Sequence, residues 1–469
     1  MTDNAIRMSK WTYLFNGANN GYFALFHALT MEIVFLEDRF IGITESLKLG
    51  TTTEHLVKTF SNISDELVEI VKELTRTGLI VPVDSDDMSL LQEKRTLYIR
   101  PPGLETMYLI VTDCCNLDCK YCFINLNIPE GYKHTVMNFD IGKESVDMFF
   151  ANLARNPPDY DKRKKTILFY GGEPLSNFAL IRQVVEYIET AYRNRIQEMG
   201  EMFQMSIVTN GTLINEEIAS FMAARPNFLV SISIDGVAEV HDRCRQHRDG
   251  RGSFAETMRG YDILRQAGKD AVSVSTTIDE HNIDHLTDLL DLQKQYGFAS
   301  INMNPLTDTE KRPVSLVYMK VASKRMLEYF ELARVAGIYE DRIMRKLNAF
   351  KENRIHAYDC HALGSQLVVS PNGDLGVCHE GVGIRQFFFS RVNKEFDFHV
   401  NPTVAEWKLR TPLNMPQCYN CPAIGICGGG CAYAAWLRHG SIWSIDDRFC
   451  IHSLTSLEWL IWDLFKNLD

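Results

Sequence analysis

Nothing in the 469 residues resembles a membrane span, because no apolar run approaches the ~20 residues that cross a bilayer. The N-terminus lacks a basic stretch followed by an apolar one, so no export signal is expected. Positive charge is scarce as well. Against 60 Asp and Glu stand 49 Lys and Arg, and the net charge of -11 disfavours a nucleic-acid partner for the whole molecule. What the chain does have is cysteine. Twelve thiols without an export signal point to metal ligation instead of disulfides. The length predicts two to four domains, in a cytoplasmic, metal-loaded protein with no membrane partner.

The most informative stretch is Asp113-Cys114-Cys115-Asn116-Leu117-Asp118-Cys119-Lys120-Tyr121-Cys122-Phe123. Cys115, Cys119 and Cys122 read C-x3-C-x2-C directly after an apolar strand. A cubane iron–sulfur cluster offers four irons, each wanting one outer ligand, usually a Cys thiolate. Three thiolates on one loop leave one iron open to a small molecule. A zinc loop is the plain alternative for this spacing alone.

Between residues 105 and 310 strands alternate with helical patterns. The strands are expected at 107–112, 166–170, 205–209, 228–234, 272–277 and 299–303. Parallel βα units follow from this alternation, six of them, fewer than the eight of a closed barrel. Ser64 and Asn282 are read as helix N-caps, and Gly78 and Gly297 as helix stops. The polar motifs fall at strand ends. Gly171-Gly172-Glu173-Pro174 ends the second strand, Thr209-Asn210-Gly211 the third, and Ser231-Ile232-Ser233-Ile234-Asp235-Gly236 the fourth. His241-Asp242-Arg243-Cys244-Arg245 follows. The two glycines of the first motif are expected to let backbone approach a ligand, and Glu173 to pair with a cationic amine.

The cysteine loop and these motifs together resemble the radical S-adenosylmethionine (SAM) enzymes, with a partial (β/α)6 TIM-type barrel. The resemblance implies that SAM chelates the open iron and is cleaved on reduction to a 5′-deoxyadenosyl radical that abstracts hydrogen from substrate. It also implies SAM contacts from Tyr121, Gly171, Gly172, Glu173, Pro174, Asn210, Ser233 and Arg245, with Arg243 the rival of Arg245. A flavodoxin- or ferredoxin-type protein would donate the electron.

Residues 311–358 read as a helical bridge. Beyond it Cys360, Cys378, Cys418, Cys421, Cys427, Cys431 and Cys450 follow, with Pro371-Asn372-Gly373-Asp374 as a hairpin turn that places Cys378 on the return strand. A zinc ribbon would use four and strand three. The pattern over 359–469 resembles the SPASM extension of radical SAM enzymes, which implies two auxiliary [4Fe-4S] clusters and three clusters in all. By position, Cys418, Cys421, Cys427 and Cys450 would hold one auxiliary cluster completely, while Cys360, Cys378 and Cys431 would hold the other with three thiolates. The missing ligand would come from the substrate, or from Cys244, His361 or His379. Cys114 reads as a strand-end thiol, and the C-terminal tryptophans as packing.

Residues 1–90 predict three short strands around the turn-rich stretch 16–21, then helices and a closing strand at 79–82. They resemble a winged-helix-like recognition module to whose sheet edge a leader peptide adds as a strand. The acidic run 84–87 is expected to begin a linker. The whole reads as a maturase of a ribosomally synthesised precursor peptide that installs a thioether or carbon–carbon cross-link. Its rivals are a sulfatase-maturing enzyme forming formylglycine, and an iron–sulfur electron-transfer or redox-sensing protein. No general base stands out.

Overall fold

The computed structural model describes residues 5–17 and 21–468; of the expected first turn, Ala18, Asn19 and Asn20 lie outside them. The N-terminal module opens with β1 (Ile6–Met8), then β2 (Thr12–Asn16), β3 (Tyr22–His27) and β4 (Ile33–Glu37) as an antiparallel meander, and closes with β5 (Ile80–Pro82) paired to β1. Three helices, Ile41–Leu49, Thr53–Thr59 and Ser64–Arg76, lie between β4 and β5. Successive side chains of a strand face opposite ways, and β3 is apolar on both faces. Phe23 and Leu25 point into a core with Ile43, Leu56, Leu67 and Leu74. Ala24 and Phe26 turn the other way, joining Trp11, Phe350, Ile424, Leu457 and Leu460 from the C-terminal part of the chain. The module is therefore welded to the rest of the protein through a shared core.

Two sequence readings are corrected here. Ser64 is the first residue of its helix, and the cap position is Ile63, which offers no side-chain bond; the first-turn acids Asp65 and Glu66 favour the helix dipole instead. The acidic run is no linker. Asp86 accepts from the Met88 amide and caps a helix, Asp87–Tyr98, whose Leu91 enters the shared core. Gly78 does end its helix, in the left-handed conformation (φ 73°).

The barrel wall is built from β6 (Thr106–Thr112), β7 (Lys165–Gly171), β8 (Phe203–Thr209), β9 (Phe228–Ser233), β10 (Val272–Ile278) and β11 (Ile301–Pro305), all parallel, each beside its predecessor in sequence. In β7, β8 and β10 burial alternates residue by residue. Ile167, Phe169, Met205, Ile207 and Val274 face the outer helices and form the main core. Their half-buried neighbours line a concave inner face, where a substrate can be held. The expected cap Asn282 does not start a helix, since the next one runs Asp288–Tyr296. Its amide instead knots the loop after β10, donating to Thr277 O (2.7 Å) and Asp235 O (3.2 Å). Gly297 ends that helix as a left-handed cap.

The sheet does not stop at six strands. β12 (Gln366–Val369) runs parallel to β6, and β13 (Asp374–Gly376) and β14 (Phe388–Arg391) continue it antiparallel, making nine strands. The turn before β13 has Gly373 at φ 83°, as a tight hairpin requires. Cys378 lies two residues past the return strand, at the head of a single turn His379–Val382. The cysteine-rich region is thus hydrogen-bonded to the strand that feeds the cysteine loop. Among the described residues no helix is long and apolar enough to cross a membrane.

Candidate active site

The loop after β6 is held from three sides. Asp113, buried at the strand end, accepts from Tyr132 Oη (2.6 Å), Thr135 N (2.6 Å) and Thr135 Oγ1 (2.9 Å). On the second side, Glu173 N donates to Cys114 O (2.8 Å) and Gly172 N to Thr112 O (2.9 Å). On the third, Asp118 N donates to Gln246 O (2.7 Å) and Lys120 N to Cys244 O (3.2 Å). The glycine pair has a role within the protein itself. A Cβ on Gly171 would meet Thr112 O, and one on Gly172 would meet Cys114 O, each at 2.1 Å. They admit the protein's own cysteine loop, and through it shape the site.

Glu173 closes the strand ends together. Its Oε1 accepts from Leu175 N (2.9 Å) and Thr209 Oγ1 (2.6 Å), and its Oε2 from Asn210 N (2.8 Å). Burial pushes this carboxyl up, and the three hydrogen bonds and Arg245 pull it back. One further lone-pair site, on Oε2, remains for a cationic amine. Pro174 follows at the start of a short turn. Asn210 is busy within the protein: its Oδ1 accepts from Thr212 N and Oγ1, and its Nδ2 donates to Asn116 Oδ1 (2.9 Å) on the cysteine loop. Ser233 sits buried at the end of β9.

Arg245 is buried whereas Arg243 is exposed. The partner of Arg245 is Asp235, by Nε–Oδ2 (2.8 Å) and Nη2–Oδ1 (3.1 Å); Nη1 is not part of this pair. Asp235 also accepts from Tyr121 Oη and Thr277 N (3.0 Å), and the Tyr121 ring lies 5.4 Å from the guanidinium. Asp235 is a residue the sequence reading passed over. It orients both Tyr121 and Arg245, and its place in an S-x-D-G stretch was the available signal.

All three thiols of the loop are near one another. Burial pushes the Cys119 thiol to about 12, Arg245 draws it down, and Cys122 and Asp235 push it further up. Cys115 is raised by burial, then by Glu173, Cys119 and Cys122. Neutral thiols in such a place become thiolates once a metal supplies positive charge.

The other seven cysteines fall into two sets. Burial, with Cys427 and Cys421 nearby, raises Cys418 to about 12; burial and then Cys427, Cys421 and Cys418 raise Cys450, which lies in the helix Asp447–Lys466. The second set gathers Cys360, Cys378 and Cys431: burial, then Cys431, Glu380 and Cys360, raise Cys378. Gly428, Gly429 and Gly430, all at positive φ, let the chain pass from Cys427 of one set to Cys431 of the other. A lone tetrahedral zinc would hold thiolates about 3.8 Å apart. Among the described residues only Asp113–Cys114–His134 and Cys244–Asp279–His281 bring three such ligand atoms within 4.8 Å. No cysteine set brings three thiols that close, which is compatible with the wider ligand shell of a four-iron cluster.

Each candidate for the missing ligand has a contact of its own. The Cys244 thiol donates to Asp279 Oδ2 (2.7 Å), away from the set. His361 Nδ1 is bonded to Thr106 Oγ1 (3.1 Å). His379 stacks on Tyr108 at 4.6 Å, and only burial acts on it, lowering it to about 4.

Fold and rim define a class: a parallel partial barrel with a three-thiol loop beside a buried carboxylate and guanidinium. Residues 109–293 match the family model of the Radical SAM superfamily, which makes this barrel a radical SAM enzyme domain. The chain is 23% identical to the radical SAM cyclopropyl synthase TigE of Paramaledivibacter caminithermalis, over 96% of this chain and 94% of that protein. It is 30% identical to the cysteine-type anaerobic sulfatase-maturating enzyme of Clostridium novyi, over 43% and 52%. The solved structure of anSMEcpe with bound AdoMet superposes with a TM-score of 0.64 (18% identity; 78% of this chain, 95% of that one). Streptococcus suis SuiB bound to precursor peptide SuiA superposes at 0.54 (14%; 95% and 99%). At such identities the structural likenesses establish the fold.

Proposed function

We propose that this enzyme modifies a ribosomally synthesised precursor peptide, with SPASM-type auxiliary clusters on the two C-terminal cysteine sets. Bound at Cys115, Cys119 and Cys122, a [4Fe-4S] cluster would supply the electron that cleaves SAM to a hydrogen-abstracting radical. Around it Glu173 receives the methionyl amine, Arg245 held by Asp235 receives the carboxylate, and Tyr121 screens the loop. Gly171, Gly172, Pro174, Asn210 and Ser233 shape the remaining contacts. The flavodoxin- or ferredoxin-type donor belongs to the same proposal.

One observation carries the peptide reading. Among the described residues β4 is an edge strand, bonded only to β3. Between it and the helix Ser64–Arg76 runs a groove of about 540 Å³, floored by Phe35, Leu36, Phe40 and Ile70 and rimmed by Glu37, Asp65, Glu66 and Glu69. An extended leader peptide can add to such an edge by backbone bonds and seat apolar side chains in the groove. The near full-length likeness to TigE, whose name describes a carbon–carbon ring closure, supports a carbon–carbon product over a thioether. The sulfatase-maturing alternative is less favoured: the likeness to anSMEcpe leaves about a fifth of this chain unmatched, as much as an N-terminal module.

Anaerobic protein reduced with dithionite should release 5′-deoxyadenosine from SAM. A candidate precursor co-expressed with the enzyme should lose two hydrogens per cross-link by mass spectrometry. No 5′-deoxyadenosine from cluster-loaded protein would leave only an electron-transfer role.

A further inference from the structure

The set formed by Cys360, Cys378 and Cys431 is one ligand short of a closed four-iron cluster, and a carboxylate sits beside it. Glu380 lies on the turn that Cys378 opens, His379–Val382. Its Oε2 is buried and has no hydrogen-bond partner among the described residues, and His379 Nδ1 is the other orphan on that turn. Its Oε1 has only long contacts, with Thr307 Oγ1 at 3.3 Å and His379 Nε2 at 3.9 Å. A buried carboxyl with one oxygen left without a donor is unfavourable unless a cation or a proton meets it. Glu380 is close enough to act on all three thiols of this set. His379, one residue earlier, has no thiol acting on it and is held flat against Tyr108. The turn itself has little freedom to carry Glu380 elsewhere, since a Cβ on Gly381 would meet Gln386 O at 2.4 Å.

We infer that Glu380 is the fourth protein ligand of the cluster held by Cys360, Cys378 and Cys431, its Oε2 closing the iron that the cysteines leave open. The carboxyl proton is released to solvent on binding, and no electron moves. A hard carboxylate oxygen carries the same charge as a thiolate but donates less electron density to iron, which raises the cluster's potential relative to an all-cysteine one. It is also more readily displaced than a thiolate, so a substrate donor could exchange for it. The inference rests on the proposed cluster at these thiols.

The test uses the full chain with C115A, C119A and C122A together, which removes the loop cluster and leaves the auxiliary signals. Iron and sulfide content, the EPR spectrum and the midpoint potentials are measured for this parent and with E380A, E380Q or E380C added. Imidazole is the added probe. E380A and E380Q should change the EPR of one auxiliary cluster and let imidazole shift it at concentrations at least tenfold lower than in the parent. E380C should restore a closed cluster at a lower potential, indifferent to imidazole. A normal parent spectrum unmoved by all three substitutions, or a parent as open to imidazole as E380A, would overturn the assignment alone. A parent with no auxiliary cluster signal would overturn the cluster reading beneath it.

Discussion

The loop at the barrel rim and the set around Cys378 each gather three thiols, but by different means. Cys115, Cys119 and Cys122 come from one loop, fixed by backbone bonds to the ends of β6 and β7 and to residues 244–246. Cys360, Cys378 and Cys431 come from three separate segments and meet only because β12 pairs with β6 and a glycine run leads from Cys427 to Cys431. The first site is local and rigid, suited to one fixed cofactor. The second depends on the packing of half the chain, and its remaining ligand could not be specified by any short motif. The two sites should therefore fail differently. C119A should reduce 5′-deoxyadenosine formation to background, because two thiolates do not hold the SAM-binding cluster. C421A, in the complete set, should leave SAM cleavage measurable while abolishing the peptide product. Equal loss of both activities in C421A would erase the distinction.

The next largest effect should come from Asp235, which touches no proposed ligand itself. D235N keeps the shape but weakens the grip on Arg245 and Tyr121, as loss of a residue orienting a ligand-binding group does, at about 10–100-fold. The expected readout is a rise of that order in the SAM concentration for half-maximal cleavage, with cluster iron content unchanged. A smaller effect is expected at the distant groove. I70E places a charge on its apolar floor and should raise KM for the precursor about tenfold, roughly 1.4 kcal/mol, while uncoupled SAM cleavage stays as it was. A change in uncoupled cleavage would show that the groove is not a separate recognition surface.

Much of this organisation was legible because it is periodic or locally patterned. The six barrel strands fall within one or two residues of their expected positions, since apolar runs between helical repeats leave little choice. The residues of the cysteine loop were legible for the same local reason. Less visible were features that only tertiary pairing creates. β1 is three residues long and exists because β5 comes back to it. Ser64 and Asn282 had the right chemistry for caps, but one lies inside its helix and the other serves the loop under Asp235. The close fit of Gly171 and Gly172 against Thr112 and Cys114 was not legible, because sequence reveals where a side chain is missing and not which neighbour requires its absence.

The finest test of the comparison concerns a thiol that belongs to neither site. Cys244 lies in the segment that delivers Arg245, and by sequence it was a candidate to complete the second cluster. In the fold its Sγ is buried and donates to Asp279, whose other oxygen accepts from His281 N (2.9 Å) and Asn282 N (3.1 Å). Asn282 in turn donates to Asp235 O, so Cys244 braces the loop beneath the guanidinium-bearing site. A serine hydroxyl can make the same bond, and C244S should keep full iron content and change SAM cleavage by no more than about twofold. C244A removes the donor and leaves a buried carboxylate oxygen unsatisfied, at a cost of about 1–3 kcal/mol of stability. That cost should appear as a lower Tm with the iron count intact. Loss of about four irons per chain in C244S would instead make Cys244 a ligand, joining by rearrangement the two regions that the fold keeps apart.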